Sequence, residues 1–192
     1  MTSAPAALRI FSGGAARGLV DALRETFTAQ AGSAIEGSFG AVGAMKERLL
    51  ADAPCDVVIL TAALIEELTL GARLVQGTAR PLGRVRTGIA VRADDALPRV
   101  AERASLADAL CAAGAIYLPD PQRATAGIHF AAVLRKLGID SEVAARLRPF
   151  PNGAAAMAAL AQAQEPHAIG CTQVTEILYT PGVVLAGTLP RE

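Results

Sequence analysis

"LRIFSGGAARGLVDALRETF", residues 8–27, runs from an apolar stretch through two adjacent glycines into an amphipathic pattern. Leu8 to Phe11 read as a strand, and Leu19, Val20, Leu23 and Phe27 share one face at helical spacing. A strand, a Gly-rich turn and a helix start leave backbone N–H groups aimed at one spot, which suits an anion. The same order recurs twice more. "SAIEGSF" (33–39) alternates as a strand and leads to a helical pattern over 41–51, with Met45 and Leu49 one turn apart. "CDVVIL" (55–60) is a continuous apolar run, as expected of a strand covered on both faces. "TAALIEELTLGARL" (61–74) follows as a helix broken at Gly71. Three strand–helix units in a row predict a parallel sheet with right-handed crossovers.

The texture then changes. "VQGTARPLGRVRTGIAVRADDALPR" (75–99) holds one strand, "RTGIAVR" (86–92), among Gly, Pro and closely placed arginines, and it marks the domain boundary. Beyond it the alternation restarts. Ser105 and Asp108 have capping-box spacing, ahead of a helix over 106–111 and the strand "AIYL" (115–118). After "PDPQRATAG" comes a helix with Phe130, Val133, Leu134 and Leu137 on one face. "LRPF" (147–150), an Asn152-capped helix, "HAIGC" (167–171), "TQVTEIL" and "GVVLAG" (182–187) close the chain. The pattern predicts an α/β protein of two lobes, each a mainly parallel sheet flanked by helices. Lobe 1 takes residues 1–83 and lobe 2 takes 93–183, joined by a hinge strand over 84–92 and a second hinge segment over 184–192.

Composition narrows the partners. The 192 residues carry 18 Lys+Arg against 18 Asp+Glu, so no global charge favours nucleic acid or a membrane surface. Trp is absent, and with two Tyr and five Phe there is no base-stacking platform. No apolar run is long enough to span a bilayer. Cys55, Cys111 and Cys171 lie far apart and match no metal-ligand spacing, so no metal is expected. "SGGAARG" is not G-x-G-x-x-G and no GxxxxGK[ST] occurs, so no nucleotide cofactor is expected. The opening "MTSAPAALRIF" has no basic n-region and no apolar h-region. The chain as it stands reads as cytoplasmic, or as periplasmic if an export signal has been removed.

Three strand ends share a polar, small-residue signature: "SGGAAR" (12–17), "SFGAVGA" (38–44) and "RATAG" (123–127). Each precedes a helix, and ligands of open α/β sheets gather outside the carboxyl ends of strands. Ser12, Gly13, Gly14, Ala41, Thr87, Thr125, Ala126, Gly127 and Gln173 are therefore expected to line one inter-lobe cleft. A carboxylate would be served by the N–H groups of the Gly-Gly turn and by one arginine fork. Arg86, beside Thr87 on the hinge strand, is the first candidate, with Arg17 and Arg123 as further options. His129 and His167 are the residues whose type suits acid–base work near neutrality. His129, in the first turn after "RATAG", is the candidate base; His167, entering an apolar strand, reads as a packing or surface residue.

The segments "FSGGAARGLVDAL", "SFGAVGAMKERLLADAPCDVVIL" and "PDPQRATAGIHFAAVLRKLGI" resemble, in order and spacing, the substrate-binding components of molybdate-type ABC transporters. The resemblance covers roughly residues 8–190 and implies the two-lobed type II periplasmic-binding-protein fold. It also implies loop serines for an oxyanion where this chain has Ala15 and Ala41 or Val42. A ligand-contacting tyrosine is implied where this chain has Cys171, which is thereby expected to line the cleft. Ser12-Gly13-Gly14, "RTGIAVR" and "IGCTQVTEILYTPGVVLAGTLP" (169–190) look closer to a divergent branch that resembles aconitate isomerases. That branch implies a small organic polycarboxylate. The family's C-terminal return to lobe 1 has no counterpart in this chain, so an open edge of lobe 1 is expected, covered by a second copy in a homodimer.

The leading expectation is a solute-binding protein that closes on a di- or tricarboxylate. One alternative is an isomerase in which anchors stabilise enolate-like charge while His129 moves the proton. The other is a transport receptor for molybdate or a similar oxyanion, with ABC membrane subunits as partners.

Overall fold

The computed structural model describes residues 6–190. The last two residues of the expected second hinge segment lie outside that range. Contacts divide the chain into two compact units between Arg84 and Val85.

The first unit is built from β1 (Leu8–Gly13), α1 (Arg17–Ala31), β2 (Ile35–Gly40), α2 (Val42–Leu50), β3 (Val57–Ile59) and α3 (Ala62–Leu70). Its strands form one all-parallel sheet in the order β2-β1-β3, as crossover connections require. Ile10, Val20 and Ile35 make its small core, with Leu8, Phe27, Phe39 and Ile59 packed around them. The stripe on α1 is only partly used. Leu19 and Leu23 stay 46% and 51% exposed, because three strands are too few to cover an apolar face of that width. β3 also departs from expectation. It is three residues long and lies at the sheet edge, so Val57 is exposed rather than covered on both faces. Residues 71–86 contain no helix or strand and are nearly all exposed.

The second unit contains β4 (Thr87–Arg92), α4 (Arg103–Ala112), β5 (Ile116–Pro119), α5 (Thr125–Leu137), α6 (Asp140–Val143), β6 (Leu147–Phe150), α7 (Gly153–Ala161), β7 (Ile169–Gln173), α8 (Val174–Tyr179) and β8 (Val183–Thr188). Its sheet runs β6-β5-β7-β4-β8. β6-β5-β7 is parallel and repeats the strand order of the first unit. β4 then runs antiparallel to both β7 and β8, which makes this sheet mixed. Two cores cover its faces. One holds Leu106 and Leu110 of α4 and Phe130 and Leu134 of α5; the other holds Ala156, Met157 and Leu160 of α7 with Ile177 of α8. Such a sheet, buried on both sides, explains the near-continuous apolar runs in its strands.

The start of α4 corrects one expectation. Arg103 opens that helix after Glu102, and the Ser105 hydroxyl donates to the Glu102 carbonyl at 3.1 Å, so Ser105 lies inside the helix and forms no capping box. Asn152 behaves as expected, its Oδ1 accepting from the Ala155 N–H at 2.9 Å.

Candidate functional site

In the first unit, Ser12, Gly13, Gly14 and Ala41 come together at the carboxyl ends of β1 and β2. Gly13 pairs with Gly40 across the ladder, and Gly14 opens a single 3-10 turn before α1. A β-carbon on Gly13 would fall 2.8 Å from Val42 Cγ1, so the start of α2 presses directly on the end of β1. Ser12 is fully buried and its hydroxyl donates to the Gly13 carbonyl at 2.9 Å, which directs it along the chain. Ala41 is the N-cap of α2 and offers no capping side chain; the first turn carries no acidic residue.

In the second unit, Arg86, Thr87, Gln173 and His129 meet where β4 begins, β7 ends and α5 passes. Thr87 lies directly opposite Gln173 in the antiparallel ladder. Its Oγ1 is 2.9 Å from His129 Nδ1, which ties β4 to the second turn of α5. The backbone here is fully engaged. The Val174 N–H donates to the Arg86 carbonyl at 2.8 Å and the Leu189 N–H to that of Thr87 at 3.0 Å, leaving the exposed Arg86 side chain on a fixed base.

Thr125, Ala126 and Gly127 form the first turn of α5 after Ala124, again with no side-chain cap and no acidic residue. The preceding loop is held by Asp120, whose Oδ1 accepts from the Gln122 and Arg123 N–H groups at 2.7 and 3.1 Å. Gly127 is forced by packing, since a β-carbon there would lie 2.2 Å from the Pro119 carbonyl oxygen.

Gln173 is half-buried, and its Oε1, like Thr175 Oγ1, is buried without a hydrogen-bond partner. Beneath it sits Glu176, a residue the sequence reasoning missed. Its carboxylate accepts from the Thr172 hydroxyl at 2.5 Å and from the Gln173 N–H, while burial pushes its titration above the usual carboxylate range. The signal was the Q-x-x-E spacing at 173–176, which puts a carboxylate at the third helical position of α8, within reach of its N-cap.

Cys171 is corrected. It is fully buried in the core between β7 and α5, beside Ile169 and Phe130, and burial raises its thiol well above the ordinary range. Position 171 therefore belongs to packing. Arg17 pairs with Asp21 at 3.4 Å and lies over the Phe39 ring. Arg123 and His167 are exposed, the latter in a left-handed turn before β7. A groove of about 490 Å³ in the first unit is lined by Arg9, Phe11, Glu36, Ser38 and Arg48, and touches none of the expected site residues. Among the described residues no group of three or more His, Cys, Asp or Glu could hold a metal ion, and no helix is long and apolar enough to cross a membrane.

Comparison with known proteins gives the family and the fold. Residues 8–191 match the bacterial extracellular solute-binding protein family, and the chain belongs to it. Among solved structures it is similar to the periplasmic molybdate-binding protein of Azotobacter vinelandii, with 21% identity and a TM-score of 0.67 over 91% of this chain and 74% of that one. The sulfate-binding protein of Mycobacterium tuberculosis gives 15% identity and a TM-score of 0.70 over 95% and 72%. The tungstate-binding protein of Desulfovibrio alaskensis gives 17% and 0.54 over 95% and 76%. These likenesses establish the two-lobed periplasmic-binding-protein fold. No curated protein matches the chain.

Proposed function

We propose that the protein is a solute receptor for a small oxyanion, serving ABC-type membrane subunits outside the cytoplasm. One observation carries this reading. The helices α2 and α5, which follow the carboxyl ends of β2 and β5, both begin without a capping side chain and without an acidic residue in the first turn. The helices α1 and α4 also begin uncapped and without an acidic residue, whereas α3 and α7 are capped by Thr61 and Asn152. A helix start left bare in this way keeps N–H groups and the positive end of the dipole for a bound anion. Within the first unit Ser12, Gly13, Gly14 and Ala41 are the candidate anion contacts. Within the second unit they are Arg86, Thr87, Thr125, Ala126, Gly127 and Gln173. That the similar proteins bind molybdate, sulfate and tungstate supports the oxyanion class.

A second reading, a small di- or tricarboxylate, rests on Arg86. Its planar fork beside the Thr87 hydroxyl suits a carboxylate as well as a tetrahedral oxyanion. Isothermal titration calorimetry against sulfate, molybdate, tungstate, citrate and malate separates the two. The oxyanion reading expects heat from at least one of the first three and none from the carboxylates. Thermal melting gives the same answer independently, since a ligand at a hundredfold excess over its Kd adds about 2.7 kcal/mol of stability. A chain that binds only citrate or malate would overturn the oxyanion reading.

A further inference from the structure

The hydrogen bond between Thr87 Oγ1 and His129 Nδ1 can run in either direction, and that freedom has a chemical consequence at the proposed anion site. A neutral imidazole whose Nδ1 bears no proton must accept from the Thr87 hydroxyl, and the only proton that hydroxyl owns is then turned inward. An imidazolium has a proton on both nitrogens, so its Nδ1 can only donate. Thr87 Oγ1 becomes the acceptor, and its own proton is released to point elsewhere.

We propose that Thr87 and His129 form a proton-operated donor: protonation of His129 reverses their hydrogen bond and frees the Thr87 hydroxyl to donate to the bound anion. This inference rests on the anion-receptor reading given above. The surroundings suit it. Thr87 is 7% exposed, so its hydroxyl has few water molecules to fall back on, whereas His129 is exposed to solvent. Gln173, directly opposite Thr87, brings no charge. The charged residues at the ends of the elements that meet here are Arg86 before β4, Asp120 and Arg123 before α5, and Glu176 on α8. Asp120 is tied to the N–H groups of its own loop and Glu176 to Thr172 and Gln173, so neither carboxylate is spent on His129. An anion that accepts from Thr87 favours the state in which His129 Nδ1 donates, and so favours the imidazolium. Proton uptake and anion uptake are therefore coupled, and by linkage each strengthens the other equally.

Sulfate is the probe, because its charge is constant between pH 5.5 and 8. Wild-type protein is expected to bind sulfate about tenfold more tightly at pH 5.5 than at pH 8, the effect of a shift of about one pH unit in the histidine titration on binding. His129→Gln should abolish the pH dependence, and Thr87→Val should remove most of it. Thr87→Ser, which keeps the hydroxyl, should restore it. A direct readout is the ¹⁵N signature of the imidazole by NMR, simple to assign with His167 as the only other histidine. Addition of sulfate should raise the titration midpoint of His129 and leave that of His167 in place. A wild-type affinity that is flat with pH, or a pH dependence that survives in His129→Gln, overturns the proposal while leaving the receptor intact. Failure of sulfate, molybdate and tungstate to bind at any pH, with no movement of the His129 midpoint, overturns both.

Discussion

Gly153, the first residue of α7, lies against Glu176 so closely that a β-carbon would stand 2.0 Å from Glu176 Oε2 and equally near Thr172 Oγ1. Three elements thus meet at one buried polar contact: the start of α7, the strand β7 and the first turn of α8. Any side chain at position 153 must push the carboxylate out of its bonds to Thr172 and the Gln173 N–H. Gly153→Ala is expected to destabilise the fold by about 2–4 kcal/mol, from overpacking together with a disrupted buried polar pair. Urea unfolding measures it, and a loss below about 0.5 kcal/mol would show that the site yields easily.

Glu176 makes stability depend on pH in a definite direction. Burial raises its titration in the folded state above the ordinary carboxylate value of 4.5, so the folded chain holds this proton more tightly than the unfolded chain. The favourable contribution is complete below pH 4.5 and is lost as pH rises through the raised folded value. Glu176→Gln keeps an acceptor for the Gln173 N–H and removes the titration. The difference in unfolding free energy between variant and wild type should therefore move in favour of the variant between pH 4.5 and 8. Parallel pH profiles for the two proteins would refute this.

The core placement of Cys171 predicts an inert thiol. In native protein at pH 8 a thiol reagent should label Cys55, which is only half-buried, and leave Cys171 untouched until denaturant is added. Peptide mass spectrometry distinguishes the two. Labelling of Cys171 at the rate of Cys55 would mean that β7 opens far more often than a central strand should.

Arg86 is exposed, so its replacement tests binding without disturbing packing. Arg86→Ala should weaken oxyanion binding by about 10- to 100-fold, the value of a hydrogen bond to a charged group, and move Tm by little. Arg86→Lys should recover part of the loss, since it keeps the charge and gives up the fork. Unchanged affinity in both variants would remove Arg86 from the site.

The fold was legible where periodicity is local, and less so where neighbours decide. The strand, glycine turn and helix of residues 8–31 could be read from spacing alone, because the side-chain periods of a strand and of a helix are set by residues close in sequence. The extent of β3 could not, since covering Val57 depends on how many strands the sheet contains. The antiparallel setting of β4 was hidden for a related reason: alternation fixes faces, not direction. Cys171 was misjudged although strand parity held the answer. Ile169 and Cys171 are two apart in β7, share a face and pack into the same core. The Thr87–His129 bond spans 42 positions, and no pattern along the chain joins its ends.

β4 is held along both edges, by β7 on one side and β8 on the other, with the β8 register slipping between Ile89 and Ala90. The chain that leaves the first unit enters this strand at Thr87. A pull along the axis of β4 would load the rungs of two ladders together, in shear. An edge strand would instead peel one rung at a time. The chain that links the units thus enters the second sheet at an interior strand rather than at an edge. Its first strand residue, Thr87, is also the one that holds His129.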